Sequence, residues 1–251
     1  MKNNEDFIIG RHPAVAALRN EEQDINKVFL QSGISKDDET VRTILKLAKG
    51  RHLVISNVPK SKLDLMSDHQ NHQGVMLAIA AFKYATIDDL FDNAAKHDEP
   101  PFFVILDNIA DPHNLGSILR TADASGVHGV IIPKHRSVGL TSTVAKTSAG
   151  AIERVPVAKV TNLVNTVNDL KDRGVWVFGT DMKGTDYRRW DAKGASALII
   201  GSEGKGISPL LKKQVDEMLT IPMIGDIQSL NASVAAGLLM YQGFNSRHPL
   251  K

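Results

Sequence analysis

Residues 102–133 read FFVILDNIADPHNLGSILRTADASGVHGVIIP. The opening FFVILDNI is an apolar, strand-like run, residues 107–126 lead from it into a helix, and GVHGVIIP is the next apolar run. The alternation continues through VWVFGTDM (175–182), ALIIGSE (197–203) and MLTIPM (218–223), short apolar runs spaced by helix-like stretches. That is the pattern of a mainly parallel α/β sheet. Upstream, PAVAALRN (13–20) has helical spacing and INKVFLQSG (25–33) reads as a strand. DDETVRTILKLAKG (37–50) reads as an amphipathic helix, and HLVISNV (52–58) and HQGVMLAIAAF (72–82) as further strands. Between the two blocks lies ATIDDLFDNAAKHDEPP (85–101), where Thr86 can cap a short acidic helix and the proline pair stops it. The division expected is a small α/β domain over 1–80, a linker over 81–100 and a larger α/β domain over 101–251.

The chain has 251 residues, 42% hydrophobic and 23% charged, the composition of a globular protein rather than a disordered or fibrous one. It contains no cysteine, which removes disulfides, thiolate nucleophiles and cysteine-held metals. No run of 18 apolar residues occurs, and the charged N-terminal MKNNEDFIIGRH lacks the apolar core of a signal peptide. A cytoplasmic protein without a membrane partner is expected. The net charge of +2 decides nothing about a nucleic-acid partner, although residues 84–100, with five acidic side chains against one basic, separate two mildly basic blocks.

Three segments can carry chemistry. In the first, a helix following a parallel strand offers Asn114 as a cap, Gly116 for close approach and Arg120 within two turns, able to reach a phosphate near the helix start. A capped helix with a surface arginine has the same pattern. The second, LIIGSEGKGIS (198–208), is a glycine-rich turn around Glu203. It matches neither a phosphate loop nor the G-x-G-x-x-G dinucleotide fingerprint, which disfavours a nucleotide-dependent oxidoreductase. The third, 221–242, runs from a strand end through an irregular loop with Ser229 and Asn231 into a helix of small residues. Its spacing suits close packing against a helix, a subunit or simply the sheet. His69 and His72 lack further ligands at matching spacing, so no metal is expected. His113, beside Asn114, is either a candidate base or a solvated loop residue.

In this order the segments closely resemble the signature motifs of the TrmH (SpoU) family of SPOUT-class RNA 2′-O-methyltransferases. The motifs stand here as Asn114-x-Gly116-x-x-x-Arg120, as Ile200-Gly201-Ser202-Glu203-Gly204-x-Gly206, and as Ile221-Pro222-Met223 with Ser229-Leu230-Asn231-Ala232-Ser233. KTSAGAIERVPV (146–157) resembles the segment between them. IIGRHPAVAAL (8–18) and NHQGVMLAI (71–79) resemble the L30e-like RNA-binding domain of the subgroup that methylates a guanosine ribose of 23S rRNA in the P loop of the peptidyl-transferase centre. The resemblance implies a C-terminal SPOUT α/β domain with a trefoil knot, S-adenosylmethionine as cofactor, a homodimer with sites at the interface, and 23S rRNA or a pre-ribosomal large subunit as partner. It implies cofactor contacts from Gly201, Ile221, Met223 and Leu230, and catalytic or RNA-contacting roles for Asn114, Arg120, Glu203, Ser229 and Asn231. Arg11, His12 and neighbouring basic residues would supply RNA contacts from the N-terminal domain. A tRNA ribose methyltransferase, or a non-catalytic RNA-binding or ribosome assembly factor, would be built on the same fold.

Methyl transfer to a ribose hydroxyl requires in-line alignment and loss of the hydroxyl proton. The resemblance casts Arg120 as the base, but a guanidinium is about 5 pKa units from neutral pH, roughly 7 kcal/mol short of its free base. Arg120 is therefore read as a phosphate clamp, with Glu203 orienting its guanidinium.

Overall fold

The computed structural model describes residues 7–21, 23–80, 82–226 and 229–250. Ala81 of the HQGVMLAIAAF stretch, Ile227 and Gln228 of the loop before Ser229, and residues 1–6 of the charged N-terminal stretch lie outside the described residues. The chain divides into two compact units, Met1–Lys83 with Gly139–Ser142, and Tyr84–Val138 with Thr143–Lys251.

The first unit runs β1 (Phe7–Ile9), α1 (Arg11–Arg19), β2 (Ile25–Gln31), α2 (Glu39–Gly50), β3 (Ile55–Val58), α3 (Lys60–Met66) and β4 (Val75–Ile79). Its sheet order is β1-β4-β2-β3, with β4 antiparallel to both neighbours and β2 parallel to β3. Alternation of side chains along a strand sorts the core. Val28, Leu30, Val75 and Leu77 face α1 and α2 through Ala14, Leu18, Ile44 and Ala48, while Phe29 and Met76 meet Leu63 of α3 on the other side. The sequence reading misses β1 and α3, elements of three and seven residues, too short for a periodic pattern to stand out.

The second unit runs α4 (Ile87–Lys96), β5 (Phe102–Leu106), α5 (Pro112–Ala124), β6 (Gly129–Pro133), α6 (Ser142–Thr147), β7 (Val157–Val160), α7 (Leu163–Asp172), β8 (Trp176–Asp186), β9 (Ser196–Ile200), α8 (Pro209–Lys212), β10 (Glu217–Thr220) and α9 (Ala232–Arg247). The six strands form one parallel sheet in the order β10-β8-β9-β5-β6-β7. Every residue of β5 and β9 is buried, as expected of central parallel strands covered on both faces. From β5 the chain moves outward to β6 and β7, crosses to the opposite side of β5 with β8, and fills the place beside β5 with β9, so the topological switch point lies between β5 and β9. In open parallel sheets the crevice beyond the strand ends at such a point is where ligands bind. Among the described residues no helix is long and apolar enough to cross a membrane.

The stretch read as a linker, 81–100, belongs from Tyr84 onward to the second unit. The Ala85 amide donates to the Val157 carbonyl (2.9 Å), and Thr86 closes a capping box with Asp89 at the start of α4. Leu90 is fully buried over Gly129, where a Cβ would come within 2.2 Å of the Leu90 Cγ. Asp88, Asp89 and Asp92 occupy one face of α4, and Leu90 and Ala94 pack the other. Leu90→Ala is expected to cost about 2–5 kcal/mol in denaturant unfolding, as a cavity in a packed core does; a tether would lose almost nothing.

At the start of β5 the buried His128 accepts the Phe102 N–H on Nδ1 (3.0 Å), so the imidazole proton sits on Nε2, 3.5 Å from Glu99. Burial pushes its pKa down from 6.5 to about 4, with Arg247 and His97 acting in the same direction and Glu99 opposing. The native state holds the ring neutral while the unfolded chain takes up a proton once pH drops below 6.5. The stabilisation from this group is thus complete above that value and is lost as pH falls toward 4, on the order of 3 kcal/mol. His128→Asn, which keeps an acceptor for Phe102, is expected to flatten the unfolding free energy between pH 6.5 and 4 relative to the parent chain.

Candidate active site

At the end of β5 the chain turns through Asp107 and Asn108 into α5. Asp107 is buried; its amide donates to the Ile200 carbonyl at the end of β9 (2.9 Å). Its carboxylate accepts the Asn108 side-chain amide and the Ser208 N–H, each at 2.6 Å. The two loops that leave β5 and β9 are thereby tied together at the switch point. Sequence reading passed over Asp107, although an acid directly after a fully apolar strand is a signal that could have found it.

Asn114 is not the cap of α5. That place is taken by Asp111, which accepts the His113 N–H (2.8 Å), with Pro112 at the first helical position, where its fixed φ and missing N–H cost nothing. Asn114 falls in the first turn with its side chain free to reach elsewhere. Its Nδ2 donates to Glu203 Oε1 (3.1 Å). Asn231 Nδ2 donates to the same oxygen (2.6 Å) and to Asn114 Oδ1 (2.9 Å). The Ala232 N–H completes the set on Oε1 (3.1 Å). Asn231 is the cap of α9, its Oδ1 accepting the Ser233 N–H (2.9 Å) and hydroxyl (2.6 Å), which fixes the orientation of its amide. The three motifs thus meet on one carboxylate oxygen, placed at the positive end of α9.

Beside this cluster lies a cleft of about 510 Å³. Gly201, Ile221, Met223, Leu230, Ser229 and Glu203 all line it. Gly201 and Gly206 are required by geometry. A Cβ on Gly201 would sit 2.2 Å from the backbone of Gly206, and Gly206 has φ +63°, while Ser202 and Gly206 exchange backbone hydrogen bonds across the turn (3.2 and 2.8 Å). The walls include Thr180, Asp181 and Met182 from the C-terminal part of β8, which the sequence reading did not single out. Asp181 is paired with Lys212, and that hydrogen bond holds its carboxyl below the usual carboxylate range.

Arg120 stands apart. It is exposed on α5, does not line the cleft, and among the described residues has no side-chain hydrogen bond or ion pair. The expectation that Glu203 orients it is corrected: the carboxylate serves two amides and a helix N-terminus instead, and these neutral donors saturate Oε1. His113 is exposed and, among the described residues, has no side-chain partner. His72 is buried and bonded to Asp64 (2.9 Å) rather than paired with His69. Among the described residues no group of three or more His, Cys, Asp or Glu could hold a metal ion.

A cleft beside the carboxyl ends of β9 and β10 in a parallel α/β sheet, walled by glycines and apolar side chains and flanked by a polar cluster, defines a small-molecule-binding α/β enzyme site. The chain belongs to the SpoU rRNA methylase family, which matches residues 101–241. Residues 7–85 match the RNA 2′-O ribose methyltransferase substrate-binding domain. By family it is an RNA methyltransferase of the TrmH/SpoU type. YacO of Bacillus subtilis, provisionally named a TrmH family tRNA/rRNA methyltransferase, is 47% identical over 251 residues, covering 100% of this chain and 99% of that protein. The AdoMet-bound rRNA methyltransferase from Sinorhizobium meliloti shares the fold, with TM-score 0.59 and 24% identity over 98% of this chain and 88% of its own. The TrmH/SpoU tRNA modifying enzyme of A. aeolicus aligns over 60% of this chain and 77% of its own, with TM-score 0.55 and 29% identity.

The cluster makes a charge-specific prediction. Asn231→Asp keeps the α9 cap but sets a second carboxylate against Glu203, so stability is expected to fall by about 0.5–1 kcal/mol near neutral pH, the modest cost of a solvent-screened repulsion. Adding Glu203→Gln should restore part of the loss in thermal unfolding. No loss in the single variant would show that the cluster does not form.

Proposed function

We propose that the protein transfers a methyl group from S-adenosylmethionine to the ribose 2′-hydroxyl of a guanosine in 23S rRNA, in the P loop of the peptidyl-transferase centre, acting in the cytoplasm on rRNA or an assembling large subunit. The observation that carries this reading is the meeting of Asn114, Glu203 and Asn231 beside a cleft lined by Gly201, Ile221, Met223 and Leu230. The cleft suits the cofactor. Its apolar side chains accept a flat ring system, its glycine-rich wall presents backbone groups at close range, and its volume is that of a cofactor site.

When bound, S-adenosylmethionine supplies an electrophilic methyl group on a sulfonium. Ile221 and Leu230 would hold its apolar part and exclude water, while the backbone of 201–206 would give polar contacts. Glu203 Oε1 fixes the two asparagine amides, so that the Ser229 hydroxyl and the cluster orient the ribose at the cleft mouth. Arg120, unpaired and exposed, is available to hold a substrate phosphate through two parallel N–H bonds.

The homodimer and the knot belong to the same proposal. Val234, Leu238 and Tyr241 form an exposed apolar stripe on α9 (52%, 38% and 46% exposed) although the helix buries its opposite side, which suits a second copy of the chain. Arg120 then joins a site at the interface. The chain after β10 and the loop 201–206 line one cleft, the arrangement a threaded C-terminal segment would produce. The choice of rRNA is supported by coverage: the rRNA methyltransferase of S. meliloti aligns with 98% of the chain, the tRNA modifying enzyme with 60%.

Incubation with methyl-labelled S-adenosylmethionine and, separately, unmodified 23S rRNA and bulk tRNA is expected to yield 2′-O-methylguanosine in the rRNA alone. Label in tRNA would move the substrate. Cofactor binding without transfer to either RNA would point to a substrate presented only on an assembling large subunit, and loss of cofactor binding in calorimetry to a non-catalytic assembly factor. Arg120→Lys is expected to lower turnover about 10²-fold with cofactor affinity retained; full turnover would remove the clamp.

A further inference from the structure

The first unit holds a second cavity, of about 530 Å³, formed by the end of β2, the start of α3 and the loop 67–74. Methyl transfer does not use it. Its loop has unusual backbone: Asp68, His69 and Gln73 lie in the left-handed region at φ 53°, 60° and 51°, sparsely populated for side-chain-bearing residues. The conformation is held from beneath. The Ser67 hydroxyl, buried, reaches the Asp64 and Gln70 carbonyls (3.2 Å each). His72, also buried, accepts the Gly74 N–H on Nδ1 (2.9 Å), so Nε2 carries the proton and donates to Asp64 Oδ1 (2.9 Å). Gly74 relieves strain: its φ is +79°, and a Cβ would lie 2.8 Å from Ile34 Cδ1, which would have to shift. Arg11 is part of this brace, not a free cation. Its Nε donates to the Gln73 carbonyl (2.9 Å) and its Nη1 to Asp38 (2.6 Å).

Above this fixed backbone the side chains of His69, Gln70 and Asn71 are exposed and, among the described residues, without hydrogen-bond partners, as is the Lys60 ammonium on the same wall. A rigid loop that presents unsatisfied amides beside one free cation is matched by a flat ligand with a donor–acceptor edge and an attached anion. A nucleotide has both. Its base must be unpaired, because pairing occupies that edge and the deep groove of an RNA duplex is too narrow for side chains to read.

We propose that this pocket holds one unpaired nucleotide of the RNA substrate, its base edge bonded by the Gln70 and Asn71 amides and its phosphate held by Lys60. The proposal rests on the reading that the substrate is RNA.

The test uses the full chain, a Gln70→Ala/Asn71→Ala variant and a Lys60→Ala variant, with a short single-stranded RNA of mixed sequence and the same sequence annealed to its complement as probes. Both variants alter exposed side chains, and unchanged melting temperatures confirm folding. The parent chain is expected to prefer the single strand, and the double variant to lose about tenfold in affinity for it while duplex affinity stays the same. Lys60→Ala should weaken the single strand and flatten its salt dependence. On 23S rRNA the double variant should raise KM with kcat and S-adenosylmethionine affinity retained. Unchanged single-strand affinity, equal loss on duplex, or a parent chain that binds neither probe would overturn the pocket. Single-strand binding that depends on these residues in a protein that methylates no RNA would leave the pocket standing and overturn the methyl-transfer reading instead.

Discussion

The parallel pairing of β5 with β9 is the constraint on which the site depends. The two strands run in unbroken register from Phe102 opposite Ser196 to Leu106 opposite Ile200, so they end at the same level. The loops that begin at Asp107 and Gly201 therefore emerge side by side, and the buried Asp107 carboxylate ties them together through the Ser208 amide. The loop that begins at Gly201 forms one wall of the cleft, residues 180–182 of β8 another, and the chain after β10 closes it with Ile221 and Leu230.

Within that crevice a single carboxylate oxygen organises the polar groups. Glu203 is exposed, so its hydrogen bonds contribute little to global stability. Their consequence is geometric. Asn231 must cap α9 with its oxygen, which leaves its amide hydrogens for Glu203 and Asn114, and the carboxylate is in turn placed by the Ala232 N–H. Three segments far apart in sequence, each with one free rotamer choice, become mutually determined. Arg120 escapes this lock and has no side-chain partner among the described residues.

The two units show opposite solutions to presenting a binding surface. In the second unit the cleft is built from glycine backbone and apolar side chains at strand ends, where rigidity comes from the sheet. In the first unit the pocket is built from amides on a loop whose rigidity comes from a buried histidine, a buried serine and an arginine brace. Burial of His72 and Ser67 beneath exposed Gln70 and Asn71 separates the residues that hold the loop from those left free to bind.

Much of this was legible in the sequence. Apolar runs such as Phe102–Leu106 and Ser196–Ile200 are buried on both faces, and only central parallel strands need that pattern, so the α/β class of the second unit was determined by local composition. Thr86, Asn231 and the glycines at 201 and 206 announce caps and a tight turn through their own backbone chemistry. The tertiary structure decided the rest. It brought Asn114, which the local Asp111-Pro112 helix start leaves free of the α5 cap, to Glu203. It took the acidic stretch at 84–100 into the second unit because Leu90 finds Gly129, a contact between residues whose spacing in sequence carries no signal. It also separated Glu203 from Arg120, since hydrogen-bond partners depend on which strands lie side by side. The sequence by itself determined which elements form and which side chains can do chemistry; which of those side chains meet was decided by strand order and packing, where long-range contacts outweigh local preference.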